Sequence, residues 1–129
     1  MDSKSAARER YETSHDALVE LSHRIHAHPE LGFEEEQSST WLCESLAGAG
    51  FAVEKGICDL PTAFRATAGS GPLNIGICAE YDSLPGIGHA CGHNIIAASA
   101  LGVACRSQSR HEGSTSVYGL LPEPAVDQS

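Results

Sequence analysis

An almost entirely apolar run, Leu73 to Ala79, leads through a loop into Gly88-His-Ala-Cys-Gly-His-Asn94. The run predicts a strand buried on both faces. The alanine-rich residues 93–105 predict a helix whose small side chains let it approach a sheet closely. Residues 82–92 between them, with their glycines and proline, predict a loop. Because α/β folds place ligand sites where strands end, this unit constrains both the fold and the position of any chemistry.

The rest of the chain predicts two further helices and three short strands. Apolar side chains recur at helical spacing over residues 5–28 and about 34–48. Pro29 should end the first helix, and Gly48 and Gly50 are C-cap candidates for the second. Short strands are expected at residues 51–54, 62–67 and 116–121. The order α-α-β-β-β-α-β indicates one layered α/β domain.

Length and charge exclude several classes of protein. A chain of 129 residues favours one domain. Its net charge of −9 argues against nucleic acid as a partner, because phosphates attract basic surfaces. No apolar run approaches the roughly 20 residues of a membrane span, so we expect no membrane association. The polar N-terminus lacks the apolar stretch of a signal peptide, and a cytoplasmic location is therefore expected.

The five cysteines are an odd number at irregular spacings, which does not indicate a disulfide framework. Cys91 alone has a polar, glycine-bearing neighbourhood. The others are expected to be small core residues: Cys43, Cys58, Cys78 and Cys105.

Cys91 and His93 are candidate metal ligands. A thiolate and an imidazole suit Zn²⁺ and related ions, and the glycine between them permits a sharp turn. Asp82 is the natural partner for the free N–H of a metal-bound imidazole. Two donors do not complete a site, however. The alternatives are a cysteine packed under a turn, a histidine flanking a helix N-terminus, and an aspartate that only caps a turn.

Other polar clusters favour plainer interpretations. His89 is expected to be a solvated loop residue. The histidines at 23, 26 and 28 are expected to form a polar helix end rather than a metal site. Glu34-Glu35-Glu36 is expected to provide favourable charge at a helix N-terminus.

Two stretches carry a resemblance to a known family. Residues 24–35, Arg-Ile-His-Ala-His-Pro-Glu-Leu-Gly-Phe-Glu-Glu, and residues 80–94, Glu-Tyr-Asp-Ser-Leu-Pro-Gly-Ile-Gly-His-Ala-Cys-Gly-His-Asn, occur in the family's order. Over about residues 1–105 the chain resembles the N-terminal part of the metal-dependent amidohydrolases and metallopeptidases, which include aminoacylases, carboxypeptidase G-type enzymes and hippurate hydrolases. The resemblance implies an incomplete, layered α/β/α zinc-peptidase-like catalytic domain.

The resemblance also implies roles. Cys91 and His93 would be ligands of a site for one or two divalent ions, Zn²⁺ or Mn²⁺, and Asp82 would orient that site. The substrate would be a small-molecule amide, either an N-acyl amino acid or a dipeptide-like compound. In complete members a metal activates water for attack on the amide, and a glutamate is the general base.

The resemblance weakens after residue 105. The family continues into Pro-Ala-Glu-Glu, which supplies the general base and a ligand, whereas Pro124-Ala125 precedes Val126 and Asp127 here. We therefore expect residues 106–129 to be a divergent tail produced by a frame change or truncation. Little or no amidase activity and marginal stability, caused by an unpaired apolar sheet edge, are expected for this chain.

Two other functions compete with an amidohydrolase. A non-catalytic metal-binding or interaction module would keep Cys91 and His93 without turnover. A thiol enzyme would use the same two residues, but neighbours in one turn meet poorly as nucleophile and base. The oligomeric state stays open.

Overall fold

The structure is a computed structural model that describes residues 2–108 and 113–119. Within them the chain forms helices and strands in the expected order, with ends that differ from expectation by a few residues. In chain order the elements are α1 (Ser3–Ala27), α2 (Glu36–Gly48), β1 (Ala52–Lys55), a 3₁₀ turn (Ile57–Asp59), β2 (Phe64–Gly69), β3 (Leu73–Ala79), α3 (His93–Ser107) and β4 (Gly113–Gly119). This mixed α/β architecture confirms the expected fold class.

Local signals account for the helix ends. The Asp2 carboxylate caps α1 by accepting from the backbone N–H groups of Lys4 and Ser5 at 2.9 and 2.8 Å. After α2, Gly50 takes a positive φ of 93°. The N–H groups of Gly50 and Phe51 then bond back to the carbonyls of Ala47 and Leu46. This is the Schellman arrangement expected of a glycine just past a helix.

The strands form a four-stranded sheet in the order β1-β2-β4-β3. β2 pairs antiparallel with both β1 and β4. β3 pairs in parallel with β4, with Leu73 opposite Gly113 and Ala79 opposite Gly119. Parallel strands need a crossover, which α3 provides. The last strand described therefore lies between two strands that precede it in sequence.

Helices and sheet share one core. α2 packs on β1 and β2, whereas α3 packs on β3, β4 and α1. On β2, Phe64, Ala66 and Ala68 are buried, while Arg65 and Gly69 are exposed, so the helices cover one face of this strand. The buried core side chains come from every layer: Leu21, Ile25, Leu42, Leu46, Phe51, Phe64, Ala66, Ala68, Tyr81, Ala97, Leu101, Ala104 and Val117.

The small residues of α3 serve a helix contact as well as a sheet contact. A Cβ atom at Gly102 would lie 3.0 Å from Cδ1 of Leu18 on α1. The glycine therefore allows α1 and α3 to approach each other closely. No helix in the described residues is long and apolar enough to cross a bilayer.

The expectation that β3 is buried on both faces is wrong for this structure. β3 is an edge strand among the described residues, and Leu73 is 51% exposed. α3 packs on β3, and the residues that alternate onto its other face, Asn74, Gly76 and Cys78, are exposed. The expected burial of the cysteines fails at two positions: Cys78 is exposed on β3, and Cys58 is exposed in the 3₁₀ turn. Cys43 and Cys105 are partly buried against the core.

Candidate metal centre

The two stretches that carry the resemblance lie side by side. We call residues 28–35, after α1, the anchoring segment, and residues 80–94, after β3, the site segment. Ser83 donates from its backbone N–H and its hydroxyl to the carbonyl of Glu30, at 2.8 and 3.0 Å. Leu31 and Ser83 also form a parallel bridge. The anchoring segment thus fixes the backbone on one side of Asp82.

Glu30 also organises the start of α2. Its two carboxylate oxygens accept from the N–H groups of Gln37 and Ser38, at 2.9 and 2.8 Å. These are orphan donors of the first helical turn, and a carboxylate there also suits the helix dipole. Glu35 occupies the N-cap position but forms no side-chain cap. A residue six positions upstream of α2 therefore does the capping.

His93, the first residue of α3, contacts two carboxylates. Its Nδ1 donates to Oδ1 of Asp82 at 2.5 Å, and its Nε2 lies 3.3 Å from Oε2 of Glu80. The imidazole is 17% exposed and the Asp82 carboxylate 9%. Because Asp82 accepts the Nδ1 hydrogen, Nε2 is the ring nitrogen that remains to bind a metal. The structure therefore brings together the Asp82–His93 pair anticipated from chemistry.

Glu80 was not predicted as a site residue from the sequence. Side chains two positions apart in an extended chain point the same way, and the segment that follows β3 places Glu80 and Asp82 on opposite ring nitrogens of His93. Tyr81, between them, points into the core and is 1% exposed. The alternation of acidic and aromatic residues was the signal that could have identified Glu80.

Cys91 lies at the exposed turn before α3. Gly92, with a left-handed φ of 76°, makes the turn that starts the helix. Thiol, imidazole and carboxylate are donors that suit Zn²⁺ or Mn²⁺ in chemical type. In residues 2–108 and 113–119, however, no group of three or more His, Cys, Asp or Glu side chains is placed to hold a metal ion. The described residues thus fit part of a coordination shell.

The prediction of a solvated His89 is wrong, since the residue is 8% exposed. Its ring lies 6.2 Å from the ring of His26. Burial, together with the nearby His26 and His93, lowers the pKa of His89. The loop folds back onto the end of α1, and this long-range packing has no local sequence signal.

The three histidines of α1 do not converge. His26 faces His89, whereas Nδ1 of His28 donates to the carbonyl of Arg24 at 2.8 Å and its ring packs edge-on against Trp41. His23 lines a separate cleft between α1 and α3. A polar helix end describes this cluster, as expected.

The prediction that Glu34, Glu35 and Glu36 provide charge at a helix N-terminus is wrong for Glu35. Glu36 lies in the first turn of α2, as predicted, but Glu35 is fully buried. Its Oε2 accepts from the Thr62 hydroxyl at 2.8 Å, and burial raises the pKa of Glu35. Val126 and Asp127, by contrast, lie outside the described residues.

Comparisons with known proteins identify relatives of this chain. No family model matches the chain. It is 40% identical over 122 residues to a mouse (Mus musculus) Xaa-Arg dipeptidase, covering 82% of this chain and 28% of the relative. It is 32% identical over 120 residues to a p-aminobenzoyl-glutamate hydrolase of Escherichia coli, covering 80% and 24%. The chain thus spans about a quarter of the length of these relatives.

A solved structure shares the fold. A dinuclear metal-binding peptidase from the M20 family, of Bacillus subtilis, superposes with a TM-score of 0.71 at 23% identity, covering 84% of this chain and 35% of that one. The paired motif segments, the α/β fold and the identity to both relatives lead to one assignment. The chain belongs to the family of metal-dependent amidohydrolases and metallopeptidases, and its partial coverage of the relatives fits an N-terminal part of such a protein.

Proposed function

We propose that this chain carries the first metal-binding residues of a hydrolase that cleaves an amide bond in an N-acyl amino acid or a dipeptide-like substrate. The observation that carries the proposal is the Asp82–His93 pair, with Glu80 on the other ring nitrogen, at a strand-to-helix loop. Both relatives have names that specify amide substrates, and the Bacillus subtilis structure is named for two bound metals. These names support the reaction class.

In this proposal Cys91 and His93 are metal ligands and Asp82 positions the imidazole. Asp82 holds Nδ1 of His93, which leaves Nε2 as the nitrogen that binds the metal. Glu80 adds a carboxylate oxygen on the Nε2 side of the ring. A divalent ion such as Zn²⁺ or Mn²⁺, when bound, would polarise the amide carbonyl and activate water.

Cobalt titration of the purified, metal-free chain tests the proposal directly. Co²⁺ bound by a thiolate gives a charge-transfer absorption, which should appear in wild type and disappear in Cys91→Ser. The control is Cys78→Ser, which removes another exposed thiol near the C-terminal end of the edge strand β3. The same band in Cys91→Ser, or its loss in Cys78→Ser, would contradict the assignment of Cys91.

A non-catalytic metal-binding module is the second candidate. It is favoured by the sequence at Val126 and Asp127, where the family has the two glutamates that supply the general base and a ligand. Hydrolysis of N-acyl amino acids and dipeptides by the metal-loaded chain would favour the enzyme, and metal uptake without turnover would favour the module. A thiol enzyme is disfavoured, because both ring nitrogens of His93 face carboxylates.

We also propose a cytoplasmic location and a chain organisation of residues 1–105 followed by a divergent tail. Gly113–Gly119, within that proposed tail, pairs with two strands of the sheet. Sequencing the coding DNA from Arg106 onward would test this. An alternative frame that encodes Pro-Ala-Glu-Glu would support a frame change, and its absence would remove that explanation.

A further inference from the structure

A buried polar network lies beneath the site segment. Tyr81, Thr62 and Glu35 are 1%, 2% and 0% exposed, respectively. The Tyr81 hydroxyl donates to the Thr62 carbonyl at 2.5 Å. The Thr62 hydroxyl donates in turn to Glu35 Oε2 at 2.8 Å. Thr62 therefore joins the other two residues, through its backbone on one side and its side chain on the other.

This network contacts the backbone where the candidate ligands originate. Tyr81 lies between Glu80 and Asp82, whose carboxylates both face His93. Because alternate residues of an extended segment point to opposite sides, fixing the Tyr81 ring in the core also fixes the direction of both carboxylates. The ring stacks on Phe64 at 6.0 Å between centroids, so its hydroxyl bond sets the depth to which it inserts.

We propose that the Glu35–Thr62–Tyr81 network is a positioning device for the metal site, which holds residues 80–82 so that Asp82 reaches His93. Tyr81 acts through the backbone that it shares with Glu80 and Asp82, and Glu35 acts through the Thr62 hydroxyl. The network completes a two-sided clamp on Asp82, since Ser83 is held from the other side by the Glu30 carbonyl. Burial of a carboxyl and two hydroxyls is costly unless they are hydrogen-bonded. Here both hydroxyls donate within the network and Oε2 of Glu35 accepts, whereas Oε1 of Glu35 is buried without a hydrogen-bond partner among the described residues.

The inference rests on the proposed role of His93 as a ligand, so its test uses two readouts. Metal affinity is measured by competition with a chelator. The Nδ1–H proton of His93 is followed by NMR in the metal-free, ¹⁵N-labelled protein, where it reports the bond to Asp82 without any metal. Tyr81→Phe and Thr62→Val each remove one hydroxyl with little change of shape. Leu21→Ala is the control, because it leaves a cavity in the core without removing a hydrogen bond of the network. Leu21 lines a cleft together with Leu101 and is not a member of the network.

We expect Tyr81→Phe and Thr62→Val to weaken metal binding by about 10-fold, the lower end for groups that orient a ligand, and to shift or broaden the His93 signal. Leu21→Ala should lower stability and leave both readouts unchanged. Unchanged readouts in the folded network variants would overturn the inference, as would equal changes in Leu21→Ala. If Tyr81→Phe does not fold, Thr62→Val alone decides. If wild type binds no metal, the proposed function fails, and the His93 signal still decides the positioning role.

Discussion

The anchoring segment and the site segment are both rich in polar residues, yet they use them differently. In the anchoring segment, Glu30 caps a helix and Glu35 is bonded inside the core. In the site segment, Glu80 and Asp82 face an imidazole near the surface, and Cys91 is exposed. Of these two adjacent segments, one thus stabilises the fold and holds the other in place, and the other presents the donor side chains. Substitutions should separate the two roles.

The largest separation is expected at Asp82. Asp82→Asn removes the carboxylate that holds Nδ1 of His93, so metal affinity should fall by about 10–100-fold. The fold should survive, because asparagine has nearly the same shape. Chelator competition measures the affinity, and urea unfolding of the metal-free protein measures stability. An unchanged metal affinity would mean that Asp82 only stabilises the fold, and the difference between the two segments would not hold at this residue.

A smaller effect, of the opposite kind, is expected at Glu30. Glu30→Ala leaves two N–H groups of the first turn of α2 without their carboxylate, which should cost about 1–2 kcal/mol of unfolding free energy. Metal affinity of the folded protein should not change, because Ser83 is held by the Glu30 backbone carbonyl. Glu34→Ala, at an exposed position of the same segment, is the matched control for urea unfolding. Equal losses in both variants would contradict the capping role.

The smallest effect is expected in the pH dependence of stability. Because burial raises the pKa of Glu35, the folded state holds this proton more tightly than the unfolded state does. The associated stabilisation is complete below the unfolded-state pKa and is lost as the pH rises through the folded-state pKa. Glu35→Gln should therefore flatten the decline in unfolding free energy as the pH rises above the ordinary glutamate pKa of about 4.3.

Urea unfolding at several pH values across that window measures the slope. Glu36→Gln, at the exposed neighbouring position, removes the same negative charge from the surface. If the slope flattens equally in both variants, the effect comes from net charge and the burial of Glu35 does not cause it.

Local signals in the sequence were enough for the helices and strands, since apolar spacing, Pro29 and Gly50 act within a few residues. The Asp82–His93 contact was also accessible, because an imidazole ligand needs an N–H acceptor. The burial of His89 and Glu35 could not be predicted from the sequence. His89 is buried because its loop folds onto α1, and Glu35 has its hydrogen-bond partner, Thr62, in another segment. For β3, the apolar sequence indicates that the strand could be buried on both faces, but it does not show whether another layer packs on each face.

Insertion of β4 between β2 and β3 has a consequence for synthesis on the ribosome. The β1–β2 hairpin can pair as soon as it emerges, but β3 has no partner among the described strands until residues 113–119 follow. During that interval an apolar strand is open to other nascent chains. A polypeptide arrested before Gly113 would hold a hairpin and packed helices without the strand that joins the two parts of the sheet.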